Sequence, residues 1–430
     1  MLRNFNILKS SLILHSTLKK GGPILNLLSN GGVTSPEGFL ASGIHCGLKK
    51  NNLKLDLALI YSTVPASSAG VYTKNKVKGA PIYITKEHLI NKKAQAIIVN
   101  SGNANTCTGD DGLSKAKRMT ELTGKALKLK TTDVLVASTG VIGVPLNIDA
   151  IKDGIPLLSE RLSKDGFDDA AKAIMTTDTY KKQLAFEFYI DNKKITIGAM
   201  AKGSGMIEPN MGTMLSFITT DLNISGEMLN EALKESVKIS YNRVSVDGDT
   251  STNDMVLVLA NGLAKNSKIT KKDENYYTFL NVLNTLNIIL ARMIAKDGEG
   301  ATKLIECIVS NCKCEKDAEI LSKSVINSPL VKTAIFGSDA NWGRILCSLG
   351  YAGVNINPNK VDLSFESSTG EIEICKDGMP LPFDEVKAKE ILLQDEIKIL
   401  INMNSGEYSS IAWGCDLSYD YVKINGDYRS

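Results

Sequence analysis

Ten short runs of apolar and β-branched residues recur along the 430-residue chain. They lie at Leu55–Tyr61, Ala96–Asn100, Val134–Ala137, Ile195–Met200, Met214–Thr219, Met255–Ala260, Ile305–Val309, Val361–Phe365, Ile397–Met403 and Ser410–Trp413. Each is four to eight residues long and most are bounded by Gly, Asn, Asp or Lys, which is the pattern of strands. Helical patterns fall between them. Ser225 is placed to N-cap a helix carrying Leu229, Leu233 and Val237 on one face, and residues 276–296 and 316–326 also read as helices. Strands and helices are mixed without strict alternation, so the expected fold is a layered α/β or α+β sandwich, sheets covered by helices. The length fits two or three domains, or one large sandwich with a smaller unit.

The chain is 43% hydrophobic and 23% charged, which excludes disorder as its main state. It contains no run of about 18 apolar residues, and its most apolar long stretch, Phe279–Ala295, is interrupted by Asn281, Asn284, Asn287 and Arg292. No membrane partner is expected. The net charge of +3 is local: residues 1–36 hold Arg3, Lys9, Lys19 and Lys20 and no acid, and without these four charges the remainder stands at −1. The body therefore lacks the basic block of a nucleic-acid track. In the head, Leu2, Phe5, Leu8 and Leu12 share roughly one helical face among Ser10, Ser11, Ser16 and Thr17. A basic, hydroxyl-rich, acid-free amphipathic head reads as a mitochondrial-type targeting segment over 1–30, or as a featureless extension. The first reading places the protein in the mitochondrial matrix, the second in the cytoplasm.

Cysteine and histidine usage narrows the chemistry. Eight cysteines include only one close pair, Cys312-Lys313-Cys314, a poor zinc signal. Buried free thiols of a reducing compartment are expected, and no metal. His15, His45 and His88 are the only histidines, so catalysis without histidine has to be considered.

Three polar segments invite a chemical reading. Lys202–Leu215 (KGSGMIEPNMGTML) lies between two expected strands. Its Gly212–Thr213 bond stands where an N-terminal-nucleophile enzyme cuts itself: the Thr213 hydroxyl attacks the Gly212 carbonyl, the peptide becomes an ester, and water releases Thr213 with a free α-amine. That amine, with an ordinary pKa of about 7.7–8.0, can take the hydroxyl proton of its own residue. A Gly-rich turn is the alternative. Ser138–Gly143 (STGVIG) follows an expected strand. The Thr139 hydroxyl and Gly140 N–H suit an oxyanion hole, with a phosphate cradle or a simple turn as alternatives. Asn242–Asp254 imitates a calcium loop but has Thr252 at position six and Val258 at position twelve, where Gly and Glu are needed. It reads instead as a polar loop. The C-terminal run Trp413–Ser430 is aromatic almost to its end, with Tyr419, Tyr421 and Tyr428, and is expected to pack on the body.

Ser138–Gly143, Lys202–Leu215, Ser245–Asp254, Phe336–Ile345 (FGSDANWGRI) and Trp413–Ser430 resemble, in order, the signature blocks of the ornithine acetyltransferase (glutamate N-acetyltransferase) family of arginine biosynthesis. The resemblance spans about residues 31–430. It implies an α/β sandwich with a smaller C-terminal domain, self-cleaved into an α chain (31–212) and a β chain (213–430) and assembled as an α2β2 heterotetramer. It implies that Thr213 is the nucleophile and that Thr139 with Gly140 forms the oxyanion hole. It places substrate ligands at Thr176, Lys202, Thr213, Glu299, Asn425 and Ser430. Ser430 stands where the family has Thr, and Gly212 where it often has Ala. The implied reaction moves acetyl from N2-acetylornithine to L-glutamate through an acetyl-Thr213 ester. No cofactor is implied, although some members take acetyl from acetyl-CoA. Rival readings are an N-terminal-nucleophile aminopeptidase and a non-enzymatic metabolite binder with Thr213 uncut.

Overall fold

The computed structural model describes residues 25–208 and 214–427, which form two compact units. Gly212, Thr213 and Ser430, the head to residue 24 and Tyr428 lie outside the described residues. The first unit comprises Met1–Gly203, Asn210–Asn242 and Thr250–Leu290, and the second Ser204–Pro209, Arg243–Asp249 and Ala291–Ser430.

The first unit is built on a nine-stranded mixed sheet. Its strands are β1 (Asn26–Leu27), β2 (Phe39–Ile44), β3 (Leu57–Tyr72), β4 (Lys93–Asn103), β5 (Val134–Val141), β6 (Lys182–Ile190), β7 (Lys193–Lys202), β8 (Leu215–Thr220) and β9 (Met255–Ala260). The order is β1-β6-β7-β8-β9-β3-β4-β5, with β2 beside β3. The unbroken apolar runs follow from burial on both faces, because successive strand residues point to opposite sides. Ala58, Ile60, Ile97, Val99, Leu135 and Ala137 enter one core with Phe167 and Ala170 of the helix Phe167–Ala173. Their alternates Leu57, Leu59, Ala96, Ile98, Val134 and Val136 enter a second core with Ile84, Met119 and Ile151. Those three residues come from helices Ala80–His88, Gly109–Leu127 and Ile148–Glu160. Burying a side chain of this size contributes roughly 1.5–3 kcal/mol, so both faces are strongly specified.

Strand β3 is longer than its sequence run. Its register with β4 shifts between Tyr61 and Ala66, resumes at Ala66 and Ser67, and Ser67–Tyr72 pair with β9 on the other side. Pro65 sits in that gap, where no ladder N–H is required. The expected helix at Ser225 forms over Gly226–Ile239, with the Ser225 side chain accepting from Met228 N and Leu229, Leu233 and Val237 buried.

The second unit holds β10 (Leu304–Cys312), β11 (Asp362–Ser367), β12 (Gly370–Lys376), β13 (Met379–Pro380), β14 (Glu396–Asn402) and β15 (Tyr408–Cys415) in the order β13-β12-β11-β14-β10-β15. Strand β10, beside the edge strand, runs parallel to β14 and antiparallel to β15. Its buried Glu306 accepts from the Trp413 indole at 2.7 Å and lies 3.6 Å from Arg292 Nε. Phe336–Ile345 joins helices Pro329–Phe336 and Trp342–Gly350, with Asn341 capping the latter through Arg344 N. This block thus has a structural explanation.

The helix Glu274–Lys296 is long and apolar enough to cross a membrane, but 78% of its most apolar window is buried in the protein. The cysteines correct one expectation. All are free, but only Cys307, Cys312, Cys375 and Cys415 are buried, while Cys107, Cys314 and Cys347 are exposed.

Candidate active site

The oxyanion candidates stand at the end of β5. The strand continues through Thr139 and Gly140 to Val141, so the turn alternative for this segment applies only beyond it. Ser101 pairs with Thr139 and Gly102 with Gly140 before the register shifts at Asn103. Gly140 has φ +130°, and a Cβ there would fall under 3.0 Å from backbone atoms of Gly102 and Asn103. Only glycine tolerates both conditions, which explains the residue type beside Thr139.

Asn253 ties this strand end to the start of the next expected catalytic segment. Its Nδ2 donates to Ser138 O at 3.0 Å and to Ala104 O at 2.6 Å. Its Oδ1 accepts from the Thr106 and Thr252 hydroxyls, both at 2.6 Å. One residue on, Asp254 is fully buried with neither carboxylate oxygen in a close hydrogen bond. Burial pushes its carboxyl well above the usual carboxylate range, against the weaker pull of Thr73, Met214 and Lys202. Met255 N donates to Met214 O at 3.1 Å, and Leu215 pairs in parallel with Met255. Met214, the residue after the expected nucleophile, is therefore seated against the Asp254–Met255 segment, which directly follows the Asn253 that holds Ser138.

The second expected group gathers around Asp178. Its Oδ1 accepts from Gly203 N at 2.7 Å and from Lys182 Nζ at 2.8 Å, and its Oδ2 accepts from Thr176 N at 3.0 Å. Burial alone would raise this carboxyl, but the charges of Lys182 and Lys202 and the Gly203 N–H hold it well below the ordinary carboxylate range. Asp178 thus joins two expected substrate ligands, Thr176 directly and Lys202 through its neighbour Gly203. Lys202 closes β7 opposite Leu215 and is 4% exposed, a buried cation suited to a carboxylate.

In the second unit, Glu299 and Asn425 are in direct contact. Asn425 Nδ2 donates to Glu299 Oε2 at 2.8 Å, and Glu299 N donates to Ser204 O at 2.9 Å. A Cβ on Gly205 would collide with the Glu299 carboxylate, so the glycine-rich 203–205 stretch admits this side chain. Asp247 accepts from Met206 N at 2.6 Å, from Ile207 N at 2.8 Å and from the Tyr421 hydroxyl at 3.4 Å. These bonds account for the polar loop as main-chain support. The chain end follows its expectation in part. The helix Tyr419–Gly426 is held through Tyr421 and Asn425, and the Tyr419 ring meets Phe336 edge-on at 5.8 Å, but Tyr419 is 86% exposed. A helix of eight residues has too little apolar surface to bury all its aromatics.

Sequence reasoning passed over Lys49, Asp178 and Asn253. Asp178 lies in the Met175–Thr179 string that carries Thr176, and Asn253 in the polar loop, but neither has a spacing that marks it. Lys49 is followed by Lys50 and looks like surface charge. The two histidines of the body have structural partners, His88 with Val134 O and His45 with Asp56.

Comparison with known proteins bears on this arrangement. The model of the ArgJ family matches residues 40–430. Arginine biosynthesis bifunctional protein ArgJ 1 of Clostridium acetobutylicum is 54% identical over 406 residues, 94% of this chain and 99% of its own length. The protein of that name in Caldanaerobacter subterraneus subsp. tengcongensis is 50% identical over 401 residues, 93% of this chain and 99% of its own. Among solved structures, the arginine biosynthesis bifunctional protein of Bacillus halodurans is 45% identical with a TM-score of 0.48, covering 50% of this chain and 99% of the solved chain. The ornithine acetyltransferase of Mycobacterium tuberculosis, solved with ornithine, is 38% identical with a TM-score of 0.41, covering 43% of this chain and 98% of the solved chain.

Proposed function

Because the chain belongs to the ArgJ family, we propose that it transfers acetyl from N2-acetylornithine to L-glutamate through an ester on Thr213. The names of the relatives support a place in arginine biosynthesis. The chain first cuts itself at Gly212–Thr213. The freed α-amine then takes the Thr213 hydroxyl proton while Oγ attacks the acetyl carbonyl. The Thr139 hydroxyl and Gly140 N–H stabilise the oxyanion. Collapse breaks the amide, and the departing nitrogen takes the proton as ornithine leaves. The amine of glutamate then attacks the ester and regenerates the Thr213 hydroxyl. Lys202 pairs with a substrate α-carboxylate, Glu299 with an ammonium group, and Thr176, Asn425 and Ser430 complete the ligand set.

The observation that carries this reading is the Asn253 bridge. One amide side chain holds Ser138, next to the oxyanion pair, while its own main chain adjoins the Asp254–Met255 segment on which Met214 is seated.

The two halves associate as α2β2, no cofactor is required, and acetyl-CoA is a candidate second acetyl donor. The acid-free head supports a targeting segment and a mitochondrial site, whereas the bacterial origin of the relatives supports the cytoplasmic alternative. Cell fractionation with N-terminal sequencing separates the two. Incubation with acetylornithine, with and without glutamate, tests the activity. N-acetylglutamate formed only when glutamate is present supports the transferase. Release of acetate at the same rate without glutamate identifies a hydrolase, and an uncut chain without turnover identifies a binder.

A further inference from the structure

The Met175–Thr176 peptide is gripped at both of its polar ends. Asp178 Oδ2 accepts its N–H at 3.0 Å, and Lys49 Nζ donates to its carbonyl, Met175 O, at 2.8 Å. The same ammonium also donates to Leu55 O at 2.6 Å. Lys49 is itself anchored, because buried Asp56 accepts from Cys46 N at 2.6 Å, Leu48 N at 2.9 Å and Lys49 N at 3.0 Å. Its stem passes Gly102, where a Cβ would lie 3.2 Å from Lys49 Cγ, and Gly102 is the register partner of Gly140. One side chain therefore runs from beside the oxyanion strand to the peptide that presents Thr176.

We propose that Lys49 is a positioning residue for substrate binding, which with Asp178 clamps the Met175–Thr176 peptide and so presents Thr176 and Lys202 together to the amino-acid substrate. This rests on the functional reading above for the roles of Thr176 and Lys202. A peptide held at only one end can rotate about its flanking single bonds, and a ligand displaced by a fraction of an ångström loses its contact. The clamp is also sensitive to pH. Burial pulls the Lys49 ammonium down to about 8, opposed by Asp56 and aided by Lys54 and Lys202, with Asp178 a further attraction. His45 shares Asp56, and Lys182 shares Asp178. Above about pH 8 the neutral amine is a weaker donor and the grip on Met175 O loosens.

The test compares the full-length wild type with Lys49→Met and Lys49→Arg. Binding of ornithine and of glutamate is followed by calorimetry at neutral and alkaline pH, and KM and kcat are measured for acetyl transfer. Lys49→Met is expected to weaken binding and raise KM by about 10- to 100-fold, the scale of the charge-assisted hydrogen bond to Met175 O that holds the peptide, with kcat little changed. Lys49→Arg keeps a cation far above pH 8 and is expected to recover much of the affinity. It should also abolish the alkaline weakening seen in the wild type, while titration of the substrate amines is common to both proteins. Lys49→Met with wild-type affinity, or an identical alkaline weakening in Lys49→Arg, overturns the proposal. If Lys49→Met does not fold, the pH comparison of wild type with Lys49→Arg decides. Acetyl transfer with unaltered binding in Lys49→Met refutes the clamp alone. Weakened binding in a wild-type protein that transfers no acetyl refutes the functional reading alone, and a wild type that does neither refutes both.

Discussion

Replacing Asp178 by Asn probes the centre of the Thr176–Lys202 group. The carboxylate accepts from Lys182 Nζ, Gly203 N and Thr176 N at 2.8, 2.7 and 3.0 Å. An amide presents one oxygen and one NH2, so at least one of these donors would face another donor. Lys182 has no exposed side chain and would lose its carboxylate in the interior. Removing one member of a buried ion pair costs about 3–5 kcal/mol. At roughly 2 °C per kcal/mol for a unit of this size, the unfolding midpoint should fall by about 6–10 °C at pH 7, and substrate KM should rise with it. The sign with pH follows from the depressed carboxyl. Its contribution is full above the unfolded value of about 3.9 and is lost as pH falls through the folded value. The gap between wild type and Asp178→Asn should therefore be widest near neutrality and narrow in strong acid. Scanning fluorimetry of both proteins across pH checks this. A shift of less than about 2 °C at pH 7, equivalent to about 1 kcal/mol, would refute the assigned role of the carboxylate.

Three further outcomes are expected. Thr139→Val should lower kcat by about 100- to 1,000-fold with little change in KM, because an oxyanion donor acts in the transition state; self-cleavage is read on a gel of the same variant. Gly140→Ala should destabilise the protein by about 2–5 kcal/mol, combining strain at positive φ with a clash against Gly102 and Asn103, and a urea midpoint near wild type would contradict it. Deleting Asp427–Ser430 should raise KM for both substrates while the self-cut persists, and unchanged KM would make the chain end structural only.

The layered architecture was legible because its strands are buried on two faces and so appear as dense apolar runs. Leu57–Tyr61 and Val134–Ala137 stand out for that reason. Strands with polar interruptions did not. The second half of β3 hides behind Ser62, Thr63 and Pro65, and β6 alternates Gln183, Glu187 and Tyr189 with buried neighbours. In the site, a hydroxyl and a glycine after an apolar strand drew attention to Thr139 and Gly140, but a simple turn shows the same pattern, and the resemblance singled them out. Thr176, Lys202, Glu299 and Asn425 came from resemblance alone, since neither their types nor their spacing distinguishes them from surface polar residues. Lys49, Asp178 and Asn253 were illegible for a related reason: their importance lies in which main-chain groups they reach across 126, 25 and 115 residues of sequence. No local pattern encodes such separations.

The central claim is that Thr213 carries the acetyl group between substrates. The direct measurement is to mix the purified protein with acetylornithine in the absence of glutamate, quench in acid, and obtain intact masses followed by peptide mapping. The expected product is a chain that begins at Thr213 and gains the mass of one acetyl group on the Thr213 hydroxyl, lost again when glutamate is added. A chain that turns over acetylornithine with no acetyl on Thr213, or with the acetyl on another residue, would contradict it.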